Sequence, residues 1–236
     1  MARSVAYREY LQRYRELQAL LDLGRNVGTE NVSSQSLAKE VAVARAIVVL
    51  LAGHLQAFFN SLGGEVLSQL PSDWNSLTLE QQRYVALCMA AEIQRCNADF
   101  RGETYRDAGK VQKLKDRVQR LGEWIETPDK VNSSEQDVVL QGFFKDVAPR
   151  SVDKFLRRFH PEDESFLDWV GRQGFDKSRI YTVLEQLVNQ RNDVAHGSLE
   201  TQPTLNDARL YIVTATTLVR LADKFIRGCY SYVGSP

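Results

Sequence analysis

Cysteine is scarce in this chain of 236 residues. The three present, Cys88, Cys96 and Cys229, are odd in number and lack the paired spacing of a zinc site. That usage excludes a disulfide-stapled scaffold and fits a reducing compartment. Six prolines and fourteen glycines are too few for low-complexity disorder. Neither sign of charge prevails, because thirty Lys and Arg balance thirty Asp and Glu. No overall field therefore draws the molecule to nucleic acid or to a membrane, and any binding patch must be local. The longest unbroken apolar run, Ala46 to Gly53, falls short of the ~20 residues that cross a bilayer. The N-terminal MARSVAYREYLQRYRE is charged, with no apolar h-region, so no secretory signal is expected. The sequons at Asn31 and Asn132 then carry no meaning, and the expectation is a cytoplasmic protein without membrane contact.

What is present is helical periodicity in nearly every segment. A first helix is expected from about Val5 to Leu23, ending near Gly24, with GRNVGTENVSS as a loop. A second, 36–62, is the most apolar; its apolar residues run almost all the way round, which predicts a central, buried helix. The LGG at 62–64 reads as its end, and LPSDWNS as a turn. Thr78 with Gln81 forms a capping-box pattern, repeated by Ser133 with Gln136 before a short helix to about Asp146. Another helix is expected from about Asp107 to Ile125. SVDKFLRRF reads as a short helix, and His160-Pro161 starts the next, with Pro161 suited to a first helical position. Two long helices, 176–196 and 204–230, close the chain, the latter opened by Thr204 and Asp207. With no strand pairs, internal repeat or long linker, the chain is expected to form a single all-α domain over 1–236, a bundle of about eight to nine helices.

The segment VNQRNDVAHGSLE, 188–200, carries the chemistry. Ile180, Val183, Leu184, Leu187 and Val188 form one apolar stripe, and the next position in that series is Arg191. An arginine on a packing face is costly unless it is paired or used. Asn192 and His196 are four apart and Asp193 and His196 three, so these side chains are neighbours. Gly197 stands where a helix ends in left-handed geometry. Arg191 and His196 lie about 140° apart around an ideal helix, so one copy does not make a compact pair. A two-fold dimer packing this helix end against its mate would gather two arginines and two histidines in one cleft. The bland alternative is that Arg191 snorkels from the core rim and His196 only caps the helix.

RNDVAHG resembles the R-x4-H signature of the HEPN superfamily, α-helical domains that include many prokaryotic ribonucleases. Asn192 satisfies that signature's polar residue after the arginine. A second segment, LLAGHLQAFFNSL, is similar to the LYAHWEGF-like stretch of a long, stand-alone prokaryotic HEPN group, through Leu51, His54 and Phe58. Leu55, Gln56 and Ala57 stand where that pattern has Trp, Glu and Gly, so an amide replaces its carboxylate. The resemblance implies a HEPN-like core of the helices 36–62, 176–196 and 204–230. It also implies a homodimer that cleaves RNA without metal, through 2′-OH attack on the adjacent phosphate. His196 would serve as general acid and base, Arg191 as phosphate clamp and Asn192 as positioner, and a toxin or defence role with an antitoxin or regulatory partner is the implied setting.

Other features are weaker. His54, between Leu51, Leu55 and Phe58, is read either as a hydrogen-bonded core histidine or as a support for the site, with Asp193 and Gln56 as further supporting candidates. Arg106, Lys110, Lys113, Arg117 and Arg120 recur at helical spacing and form either an RNA-contacting row or the solvated flank of a packed helix. No H-E-x-x-H, paired-carboxylate cluster, C-x-x-C or glycine-rich phosphate loop occurs, so neither metal nor cofactor is expected. The rival to a ribonuclease is a non-catalytic helical module that binds protein or nucleotide.

Overall fold

The computed structural model describes residues 3–29, 34–68, 144, 146–157, 164–198, 200 and 202–229, with isolated positions between 75 and 119. Among the described residues there are six helices and no strand: α1 (Val5–Thr29), α2 (Ser34–Ser68), α3 (Pro149–Arg157), α4 (Phe166–Arg172), α5 (Lys177–Ala195) and α6 (Leu205–Cys229). The expected all-α class is the observed one. The helices expected around 78–96, 107–125 and 133–146 lie outside the described residues, apart from scattered helical positions such as Gln112 and Asp116.

α2 is the centre, packed against α1, α5 and α6. Its Ile47, Leu51, Leu55, Phe58, Phe59 and Leu62 are inaccessible to solvent. Burying each such side chain contributes about 1.5–3 kcal/mol, so this helix anchors the core. Phe58 meets Tyr10 of α1 edge-on, with ring centroids 6.0 Å apart. Phe59 meets Phe144 at 4.6 Å and Phe155 of α3 at 5.9 Å, which ties the chain around residue 144 to the core.

Local chemistry sets several helix ends as expected. Asp176 caps α5 by accepting the Arg179 N–H at 3.0 Å. Thr204 and Asp207 open α6 reciprocally: Thr204 N–H donates to Asp207 Oδ2 at 2.9 Å and Asp207 N–H to Thr204 Oγ at 3.1 Å. The SVDKFLRRF helix begins two residues earlier than expected, at Pro149. His160 and Pro161 lie outside the described residues; α4 starts at Phe166 and takes Ser165 as its cap.

Three expectations are corrected. α1 does not end at Gly24 but continues to Thr29. Gly24 is buried where α6 begins, and a Cβ there would lie 2.7 Å from Leu205 Cδ2 and 3.3 Å from Val43 Cγ1. The glycine serves close approach, and packing outweighs its helix penalty of about 1 kcal/mol. α2 likewise runs through Gly63 and Gly64 to Ser68. Nor is α2 buried all round, because Val49 and Leu50 are 39% and 40% exposed and Ala46 and Gly53 are exposed beside them. Over Gln35–Val66 the helix is by length and composition apolar enough to cross a membrane, which counting unbroken apolar runs did not reveal. One face of the helix packs against three other helices.

The start of α1 is held by contacts that no local pattern announced. Ser4 Oγ accepts the Tyr7 N–H at 3.1 Å, and Glu65 of α2 accepts from Val5 at 3.0 Å and from Ala6. Burial nevertheless holds the Glu65 carboxyl above its usual range, with the two N–H groups opposing that shift. Fully buried Asp223 accepts the Ser4 N–H at 3.1 Å.

Candidate active site at the end of α5

Ile180, Val183, Leu184 and Leu187 of α5 are buried, as the stripe predicts, but the core ends before the next position. Arg191 continues the register into solvent and is exposed. Its Nη1 donates to Asn192 Oδ1 at 3.0 Å. Asn192 therefore steadies the guanidinium.

The helix then closes in a Schellman turn. His196 N–H donates to Asn192 O at 2.9 Å, Gly197 N–H to Val194 O at 3.1 Å, and Ser198 N–H to Asp193 O at 2.9 Å. Gly197 adopts φ 77°, the left-handed conformation that this motif requires. His196 is the C-cap residue, and its side chain is exposed, as is that of Asp193. Arg45 of α2 fixes the turn from outside by donating from Nη1 to Ser198 O at 2.8 Å. Sequence reading passed over Arg45, although it is the lone charge within AVARAIVVLLAG.

Arg191 and Asn192 line a hollow of about 200 Å³ between α2, α5 and the chain leading into α3. Val49, Ala52, Val147 and Val188 give it apolar walls, and Gln56 and Asp146 give it polar ones. Gln56 Nε2 donates to Phe144 O at 3.2 Å. Asn60, one turn on, clamps the same residue: Phe144 N–H donates to Asn60 Oδ1 at 2.9 Å and Asn60 Nδ2 donates to Phe144 O at 3.3 Å. Asp146 and Val147 follow directly from this anchored point.

The fold thus gathers Arg191, Asn192 and Gln56 in one hollow, with His196 one turn further along α5. Among the described residues no hydrogen bond or ion pair joins Arg191 to His196. His54 faces elsewhere, toward α1, with Nε2 at 3.4 Å from Glu16 Oε2 but outside hydrogen-bond geometry. Burial lowers its affinity for a proton; nearby Glu16 opposes that shift and Arg13 reinforces it. Arg106, Lys110, Lys113, Arg117 and Arg120 lie outside the described residues.

The described residues form an all-helical core with Arg191, Asn192 and His196 at the end of one packed helix. The model of the family RiboL-PSP-HEPN matches residues 8–228, so the chain belongs to that family and to the HEPN superfamily. The HEPN superfamily is generally associated with nuclease-like or RNA-related function. No curated protein and no solved structure matches the chain.

Proposed function

We infer that the protein is a metal-independent endoribonuclease that works as a homodimer, with Arg191 and His196 at the interface. One observation carries the reading: Arg191, held by Asn192, opens into a hollow beside the exposed Ala46, Val49, Leu50 and Gly53 face of α2. An exposed apolar face of this kind supports a second copy as its cover. Across a two-fold axis, two α5 ends then share one cleft.

The chemistry needs no further group. A His196 imidazole takes the proton from a ribose 2′-OH as that oxygen attacks phosphorus. The bond from phosphorus to the 5′-oxygen breaks, and the partner subunit's imidazole returns a proton to the leaving oxygen. Arg191 neutralises the charge that grows on the non-bridging oxygens. The products are a 2′,3′-cyclic phosphate and a 5′-OH. Family membership supports a toxin or defence effector restrained by a partner protein as the setting.

The test is RNA incubation in EDTA with purified wild type, Arg191→Ala and His196→Ala. Cleavage by wild type, with loss of roughly 10²–10⁴-fold in either variant, is expected. Full activity in His196→Ala removes the proposal, and RNA binding without cleavage in all three leaves a non-catalytic module.

A further inference from the structure

We propose that the hollow beside Arg191 is a base-recognition subsite selective for guanine. The inference rests on the ribonuclease reading for its RNA substrate but on the hollow itself for its specificity. At about 200 Å³ the hollow is smaller than the roughly 300–1,000 Å³ of sites that enclose drug-sized ligands. One planar base fits such a space, with Val49, Ala52, Val147 and Val188 against its faces. Single-stranded RNA is read in this way, by unstacked bases whose Watson–Crick edges meet side chains.

The polar groups decide which base. Asp146 Oδ1 accepts the Ala148 N–H at 2.9 Å, and Oδ2 lies 3.4 Å from the Ser151 hydroxyl. Each carboxylate oxygen retains further acceptor capacity and neither can donate. Guanine presents two adjacent donors, N1–H and the N2 amino group, which match a carboxylate. Adenine and cytosine set a ring-nitrogen acceptor beside their one amino donor, and uracil flanks its single N–H with two carbonyls. Each of those edges meets the carboxylate with a repelled acceptor. Gln56 spends one amide hydrogen on Phe144 O and keeps a second, which suits guanine O6. Arg191, which lines the hollow from α5, would meet the phosphate of that nucleotide. The amide at Gln56 is then useful where a second carboxylate would repel O6.

The experiment measures binding of 3′-GMP, 3′-AMP, 3′-CMP and 3′-UMP to the full chain by calorimetry, and cleavage of oligoribonucleotides carrying one guanine in an adenine–uracil context. Expected are at least tenfold tighter binding of 3′-GMP than of the others, and cleavage beside the guanine. Asp146→Asn, which keeps an oxygen for Ala148, should lose most of that preference. Gly53→Phe should weaken binding of all four, since Gly53 lines the hollow and a Cβ there meets nothing within 4 Å beyond its chain neighbours and its own helix backbone, which leaves room for a ring to compete with the base. Equal affinity for all four nucleotides, or a guanine preference unchanged in Asp146→Asn, overturns the subsite. Cleavage without base preference also overturns it while sparing the ribonuclease; selective 3′-GMP binding by a protein that cleaves nothing does the reverse.

Discussion

Arg227 grips the carboxylate of Asp223, one turn away on α6, through both Nη2 at 2.9 Å and Nε at 3.0 Å from Oδ2. Asp223 has no solvent exposure, and it also accepts the Ser4 N–H and draws Arg3 to 3.5 Å. One carboxylate therefore joins the last helix to the start of the first.

Removing that carboxylate should be expensive. Asp223→Ala takes one acceptor from Arg227 and from the Ser4 N–H, and breaking a buried pair costs about 3–5 kcal/mol. Urea denaturation measures it. A loss below about 1 kcal/mol would mean that water or a neighbouring group takes over.

Asn192→Ala should free the Arg191 guanidinium with little effect on stability, since Arg191 is exposed. A hydrogen bond to a charged group contributes about 1.5–3 kcal/mol, so cleavage should fall roughly 10- to 100-fold, less than for Arg191→Ala. Rates at matched protein concentration, with melting temperatures alongside, separate positioning from unfolding.

Leu50→Lys places a charge on the exposed apolar face of α2 without entering the core or the hollow. The folded chain should then be monomeric by light scattering and inactive on RNA. A monomeric variant with undiminished cleavage would show that the site is complete within one subunit.

Asn60→Ala removes both hydrogen bonds to the Phe144 backbone. Gln56 still donates to the carbonyl, so stability should fall by roughly 1–3 kcal/mol, the cost of leaving the buried Phe144 N–H unmet. Because Asp146 and Val147 lose their anchor, nucleotide binding should weaken as well. Calorimetric titration beside a denaturation curve reads both.

The pH dependence follows from His54. Its proton affinity is lowered in the folded chain, so the unfolded chain binds the proton first as pH falls. The stability that neutral His54 contributes is complete above about pH 6.5 and is lost as pH drops through the lowered folded value. His54→Gln should therefore lose less stability than wild type between pH 7.5 and pH 5, by denaturant midpoint. Equal losses in the two proteins would show that His54 ionises as freely when folded.

Much of this molecule is written locally. Asp176, the Thr204–Asp207 pair and Gly197 mark helix ends because each meets backbone groups within a few residues of itself, so neighbours in sequence are sufficient. The 3–4 spacing of Ile180 to Leu187 likewise fixes which face of α5 is buried. What the sequence could not supply depends on partners far along the chain. Gly24 and Gly63–Gly64 look like helix stops yet lie within helices; at Gly24 the close approach of Leu205 and Val43 outweighs a glycine's small intrinsic cost. Arg191 looks buried by register and is exposed, because the core stops short of the helix end. The hollow joins Gln56, Asp146 and Arg191 across 135 positions of chain. Its making rests on Asn60 holding Phe144, a contact set by packing geometry and carrying no periodic signature.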